Sequence, residues 1–204
     1  MSSLLVETPS PVCLELLRRQ LAINTPLTVE GDYTEAAVLV AITVGAAEPE
    51  VILTRRAQHL KLHPGEAAFP GGKKDPEDSS LLYTALREAN EEVGLLADNV
   101  EYIGQLNQRL TRSAIRVSPY VGLVSSEVQL TPNLNELDCI YRLPLGFLLD
   151  TANVNYEQVL YQGRLIQVPY FVYRHHRVTG MTALVLMDLM NTGFDAGLSS
   201  EFLV

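Results

Sequence analysis

Leu14, Leu16, Leu17 and Leu21 recur at roughly helical spacing behind Ser10 and Pro11, which suit a cap and a first turn. They predict a short amphipathic helix over 11–21. The rhythm then becomes extended. Positions 36–44 form an apolar run rich in valine and isoleucine, turn residues fill 45–50, and 51–55 resume the extended pattern, predicting two buried strands joined as a hairpin. Positions 56–78 hold three prolines and three glycines with no sustained period, which predicts a long loop. Loops of that length inside a domain are uncommon and usually functional. Over 79–93 the helical rhythm returns: Leu82, Ala85, Leu86, Ala89 and Val93 form one stripe, Ser79 or Ser80 can cap it, and Gly94 stands where a helix-ending glycine belongs.

Positions 100–110 and 117–124 read as further strands, 132–138 as a polar loop, and Pro144 as the start of a short helix through Leu149. A second hairpin is predicted over 158–173, turning at Gln162-Gly163, and a last buried helix over 180–190 with Leu184, Met187 and Leu189 among its apolar residues. The Met181-to-Met190 stripe reads as core packing. The mixture predicts an α/β or α+β sandwich, a single domain over 1–204 with its core over about 34–192. No repeat or linker divides the chain.

Composition narrows the class. With 47% hydrophobic and 19% charged residues, the chain has the means to bury a core, and its apolar runs are too short for a membrane span. The start, Met1 to Glu7, lacks the basic and apolar regions of an export signal. Cys13 and Cys139 form no ligand-type pair, so a reducing cytoplasm is the expected setting. A net charge of -9 argues against nonspecific nucleic-acid binding. Yet nine of the 15 basic residues (Arg55, Arg56, Lys61, Lys73, Lys74, Arg87, Arg109, Arg112, Arg116) fall between 55 and 116. They fit either a docking surface for a small polyanion or a solvated face. His59, His63, His175 and His176 read most simply as unpaired surface side chains, with His63 also a candidate substrate contact.

The chemistry concentrates on the helix over 79–93. At about 100° per residue, Glu88, Glu91 and Glu92 fall on one face, close to the helix C-terminus, where the macrodipole also disfavours anions. As a stability feature this is poor. It suits a hard divalent cation, which prefers carboxylate oxygen and can bind substrate phosphates, although such triplets also occur as solvated faces. Arg87, four residues before Glu91, can orient a carboxylate. Gly71-Gly72 lets the preceding loop approach a metal or phosphate closely.

Arg87-Glu88-Ala89-Asn90-Glu91-Glu92-Val93-Gly94-Leu95 resembles the second half of the box of the Nudix hydrolases, matching at every position. The first half departs: Gly72 stands 15 positions before Arg87 where the box has 14, so the box glutamate falls on Asp78 or Ser79. Upstream, Ile52-Leu53-Thr54-Arg55-Arg56-Ala57, Lys61, Gly65 and Phe69-Pro70-Gly71-Gly72 are similar to the motif of the coenzyme A pyrophosphatase branch. Ile52 stands there for leucine and Lys61 for arginine, and Lys61 loses the planar fork that grips phosphate with two bonds. Weaker similarity runs through 133–145 and 180–183, although the branch usually has tryptophan where this chain has Thr179.

The resemblance implies a Nudix-type α/β/α sandwich with a mixed sheet and a loop-helix-loop catalytic motif. It implies Mg²⁺- or Mn²⁺-dependent hydrolysis of the pyrophosphate of coenzyme A or its derivatives, giving 3′,5′-ADP and 4′-phosphopantetheine. Glu88, Glu91 and Glu92, with Gly72, would hold the metal, Arg87 would orient them, and Glu136 is the candidate general base. Arg56, Lys61, Gly65, Phe69, Gly71 and Gly72 are candidate substrate-binding residues. The implied partner is a small nucleotide, not nucleic acid or membrane, and a homodimer is implied by resemblance only. Two alternatives stay open: hydrolysis of another nucleoside diphosphate derivative such as ADP-ribose or a dinucleotide, and a silent ligand-sensing module.

Overall fold

Alternation along β1 (Thr34–Val44) sends side chains to two different cores and so sets the layers. Val40 and Ile42 enter one; Ala37, Leu39 and Ala41 enter the other. The structure is a computed structural model and describes residues 11–161 and 163–198. Ser10 and Gln162, named above as cap and turn, lie outside the described residues, as does the Cys13 side chain; Cys139 is a free thiol.

β1 runs parallel to β7 (Ile115–Ser125) from Thr34↔Ile115 to Val44↔Ser125, and β7 pairs antiparallel with β5 (Glu101–Gln105) and β6 (Arg109–Leu110). On its other edge β1 meets β2 (Glu50–Arg56) at Ile42↔Val51. Beyond that pair the two strands part, and residues 67–73 fill the gap. There β3 (Ala67–Ala68) pairs with Thr54 and Arg55, while β4 (Gly71–Lys73) pairs with Ala36, Ala37 and Val38. β8 (Leu137–Pro144) takes the far edge of β2, completing an eight-stranded mixed sheet.

Helix α2 (Leu81–Val93) covers one face, its Ala85, Ala89 and Val93 sharing a core with Ala37, Leu39 and Ala41. Alanine on both partners lets the helix settle close to the strands. Helices α1 (Pro11–Ile23), α3 (Leu145–Leu149) and α4 (Gly180–Phe194) cover the other face around Leu17, Val40, Ile42, Leu53, Leu148 and Leu186. The α/β/α sandwich with a mixed sheet is therefore the observed fold. A separate antiparallel sheet, β9 (Asn155–Tyr161), β10 (Arg164–Tyr173) and β11 (His176–Val178), lies beside β3. No helix among the described residues is long and apolar enough to cross a membrane.

Several expectations need correction. The loop over 56–78 contains β3 and β4. The strand expected over 100–110 is two strands, because Asp188 on α4 accepts from both the backbone (3.0 Å) and the side chain (2.8 Å) of Asn107 and pulls the chain out of the ladder. β8 had no counterpart in the sequence reading. The last helix runs on to Phe194, where Asp195 closes it in the left-handed conformation at φ 53°. The histidines are not unpaired: His59 contacts Asn135 O, His63 pairs with Glu66, and His175 lies against His176. His176 is buried within β11.

Candidate active site

Two local signals fix both ends of α2. Ser80 is the cap, its Oγ accepting from Tyr83 N–H at 3.1 Å, and Gly94 at φ 69° ends the helix with its N–H on Asn90 O and that of Leu95 on Ala89 O. Just before the cap, Asp78 is buried and accepts four hydrogen bonds: two from Arg87 (Nε and Nη2, each 3.0 Å), one from Thr84 Oγ1 (2.8 Å) and one from Asp75 N–H (3.0 Å). The Arg87 bonds, joined by those from Asp75 and Thr84, hold its carboxyl well below the usual carboxylate range despite burial. Asp78, not the exposed Ser79, is thus the acid that meets Arg87. Asp78 N–H also closes a turn on Asp75 O at 3.0 Å.

Arg87 is a hub. Besides Asp78 it reaches Glu91 (2.9 Å), Glu88 (3.0 Å) and Lys73 O (3.2 Å), and Asp78 pushes its own pKa further up. This leaves Glu91 turned outward and exposed. Glu88 and Glu92 face the glycines. A Cβ on Gly72 would sit 2.4 Å from the Glu88 carboxylate, and one on Gly71 would sit 2.4 Å from Ala37 O, so neither position admits a side chain without rearrangement. Gly71 N–H donates to Glu92 Oε2 at 3.2 Å.

Burial pushes Glu92 up to about 7; the Gly71 N–H opposes this, and the charges of Glu88 and Glu136 add to it. Burial also raises Glu88, against the pull of Arg87. Glu136 reaches this neighbourhood because its loop is stapled to the end of α2. Thr131 N–H donates to Val93 O (2.9 Å), Asn133 N–H to Glu92 O (2.8 Å), and Ala57 N–H to Glu136 O (2.8 Å). Asn133 Nδ2 holds the Glu136 carboxylate at 3.2 Å.

The candidate substrate residues separate. Arg56 acts electrostatically on Glu92, and its backbone pairs with Gly65 N–H and Glu66 O at 3.0 Å each. Gly65, at φ 72°, makes the turn that this pairing needs. Lys61 is exposed. Phe69 is 5% exposed and packs inside the α4-side core. The basic run does not form one surface either. Arg109 faces buried Asp188 at 3.8 Å, Arg116 and Lys74 pair with Glu35 at 2.8 and 3.5 Å, and Arg87 is committed as described.

Among the described residues no group of three or more His, Cys, Asp or Glu side chains is arranged to share one ion, and Glu91 is turned to Arg87. The donor set nevertheless fits a hard divalent cation. The charge of Glu136 raises the proton affinity of both Glu88 and Glu92, and carboxylate oxygen is the donor that Mg²⁺ and Mn²⁺ prefer. Sequence reading missed Asn133, which ties Glu136 to the helix end. It left Asp78 unassigned, although Asp78 was one of two acids available between Asp75 and the cap.

The NUDIX domain family matches residues 33–142, and the chain belongs to that family. Two similar proteins are each named an uncharacterized Nudix hydrolase NudL. That of Photorhabdus laumondii is 35% identical over 80% of this chain and 87% of its own length; that of Yersinia enterocolitica is 38% identical over 84% and 88%. Among solved structures, a MutT/nudix family protein from Enterococcus faecalis superposes with a TM-score of 0.54 at 14% identity, over 91% of this chain and 70% of that one, a likeness of fold. The chain is accordingly a member of the Nudix hydrolase family.

Proposed function

We propose that the chain hydrolyses the pyrophosphate bond of coenzyme A or its derivatives with Mg²⁺ or Mn²⁺, releasing 3′,5′-ADP and 4′-phosphopantetheine. The observation that carries this reading is the pair of carboxylates Glu88 and Glu92, both raised by burial, set against the Gly71-Gly72 backbone with the charge of Arg56 acting on the same spot. The coenzyme A assignment itself rests on the motif over 52–72.

Glu88 and Glu92 would hold the metal, with Glu91 joining when Arg87 releases it and Gly72 lending its carbonyl. A divalent ion held there would offset the charge of the diphosphate and acidify a water. Arg87, anchored by Asp78, keeps Glu88 in place. Arg56, whose charge acts on Glu92, would take a phosphate oxygen, with Lys61 supplying a second, more mobile charge. Glu136 would accept the proton of the attacking water, held within reach by Asn133. One water adds across the anhydride: its oxygen joins one phosphorus, the bridging oxygen leaves with the other, and the proton passes to Glu136 and then to solvent. The setting we propose is the cytoplasm.

The test is product analysis over coenzyme A, ADP-ribose, NADH and oxidised nucleotides with each metal. Release of 3′,5′-ADP from coenzyme A is the expected result. Preferential cleavage of another member reassigns the substrate, a reading that Lys61 and Thr179 would then explain. No cleavage of any member would leave a silent ligand-sensing module.

A further inference from the structure

The residues following β10 are Arg174-His175-His176-Arg177, four adjacent side chains that are or can become cationic. Sequence reading treated its histidines as surface features. In the fold they crown a tight turn in which Tyr173 pairs with His176 and Arg174 takes φ 55°, a conformation a non-glycine residue adopts at a cost. The turn brings His175, His176 and Arg177 to the wall of a cavity of about 200 Å³, which Arg55 and Gln58 also line. At roughly 30 Å³ per water, that is room for a phosphate group and a few waters. No carboxylate is among the described residues lining it.

Two features mark this as more than a chance gap. His176 stacks flat on Tyr141, with centroids 3.8 Å apart and planes 3° apart, and the buried Tyr141 hydroxyl has no hydrogen-bond partner among the described residues. Arg55 Nε is also buried without a hydrogen bond among the described residues, although it forms an ion pair with Asp138 Oδ2 at 3.4 Å. The cations repel one another here: burial and the charges of His175, Arg55 and Arg174 together lower the pKa of His176. Arg177 has one carboxylate partner, Glu157 at 2.6 Å on the neighbouring strand. Positive side chains crowded around a void with no carboxylate on its described wall are what a bound anion would resolve.

The cavity is tied to the site described above. Arg55 and Arg56 are consecutive, and Gly65 and Gln58, both on the cavity wall, flank the loop whose backbone pairs with Arg56. We propose that this cavity is a second anion subsite, taking a phosphate monoester that the substrate carries away from the diphosphate under attack. It rests on the reading of the substrate as coenzyme A-like, and it makes Arg55 and Arg177 determinants of specificity, not of the chemical step.

The experiment compares coenzyme A with its dephospho form, which lacks only that phosphate, in the wild type, Arg55→Gln and Arg177→Gln. The wild type should show a KM at least about tenfold lower for coenzyme A, since a charge-assisted phosphate contact is worth that much. Each substitution should raise the coenzyme A KM by about tenfold, leave kcat unchanged and leave the dephospho KM unmoved. Arg177→Lys, which keeps the charge, should recover part of the loss. Equal shifts for the two substrates, or none, would overturn the proposal. Should neither substrate be cleaved, calorimetric binding of 3′,5′-ADP against 5′-AMP without metal still decides. Tighter wild-type binding of the bisphosphate, lost in both variants, supports the subsite whatever the hydrolysed substrate is; equal binding of the two nucleotides refutes it.

Discussion

Asp78→Asn isolates the contact that fixes Arg87. At pH 7 the substitution removes the charge from a bidentate pair in which the Asp78 side chain is 2% exposed and that of Arg87 18%. Breaking a buried pair costs about 3–5 kcal/mol when the survivor is stranded. Here Arg87 keeps Glu88 and Glu91 at 3.0 and 2.9 Å. The lower end, about 3 kcal/mol, is therefore expected. The pH dependence follows from direction. Because the folded pKa of Asp78 is depressed, its contribution is complete above the unfolded pKa of about 3.9 and fades as pH falls toward the folded one. At pH 3 an unfolded aspartate is about nine-tenths protonated while folded Asp78 stays ionised, which removes about 1.3 kcal/mol. The asparagine has no such titration, so the stability gap between the two proteins should narrow from about 3 kcal/mol at pH 7 to about 1.7 kcal/mol at pH 3. Urea unfolding of both proteins at both pH values measures it, and taking the difference cancels the titrating groups that do not touch Asp78 or Arg87. A gap below about 1 kcal/mol at pH 7, or one that does not narrow in acid, would refute the account of Asp78 as an ionised anchor.

Glu92→Gln should abolish divalent-dependent hydrolysis while leaving circular dichroism unchanged; an undiminished turnover number would sink that assignment. The same variant should be no less stable than the wild type at pH 8, because an acid raised to about 7 opposes folding once it is ionised. Glu136→Gln should lower kcat by about 10²–10⁴-fold with nucleotide binding retained, and a turnover near the wild-type value would move the proton to another group. Gly72→Ala places a methyl where the Glu88 carboxylate now lies, 2.4 Å away. It should therefore cut kcat by more than about tenfold with a small change in melting temperature, and unimpaired turnover would show that the carboxylate need not stay there.

What the sequence made legible was local. The α2 stripe, its serine cap, its terminal glycine and the facing of Glu88 and Glu92 all follow from a 3.6-residue period that needs no partner. What escaped was set by distant partners. β3 and β4 are two and three residues long and exist because parted strands offer them edges. β8 alternates poorly, its residues 138–142 being half-buried on both faces, so no period of two marks it. Charge was the least legible of all: neither the Arg109–Asp188 pair nor the Arg116–Glu35 pair can be read from residues that lie 79 and 81 positions apart.

The feature least visible in the sequence is the one on which the site depends. Had β1 and β2 stayed paired beyond Ile42↔Val51, Gly71-Gly72 could not lie against Ala37 and Val38, and no backbone would be placed beneath Glu88 and Glu92. The parting also frees the end of β2, where successive side chains address different places: Arg56 acts on Glu92, while Arg55 enters the cavity with His176. Small residues then bring the layers together, alanines lowering α2 onto β1 and glycines admitting its carboxylates. Larger side chains at 37, 41, 85 or 89 would lift the helix and separate Glu92 from Gly71 N–H, which makes alanine at these buried positions a requirement of the site as well as of the core.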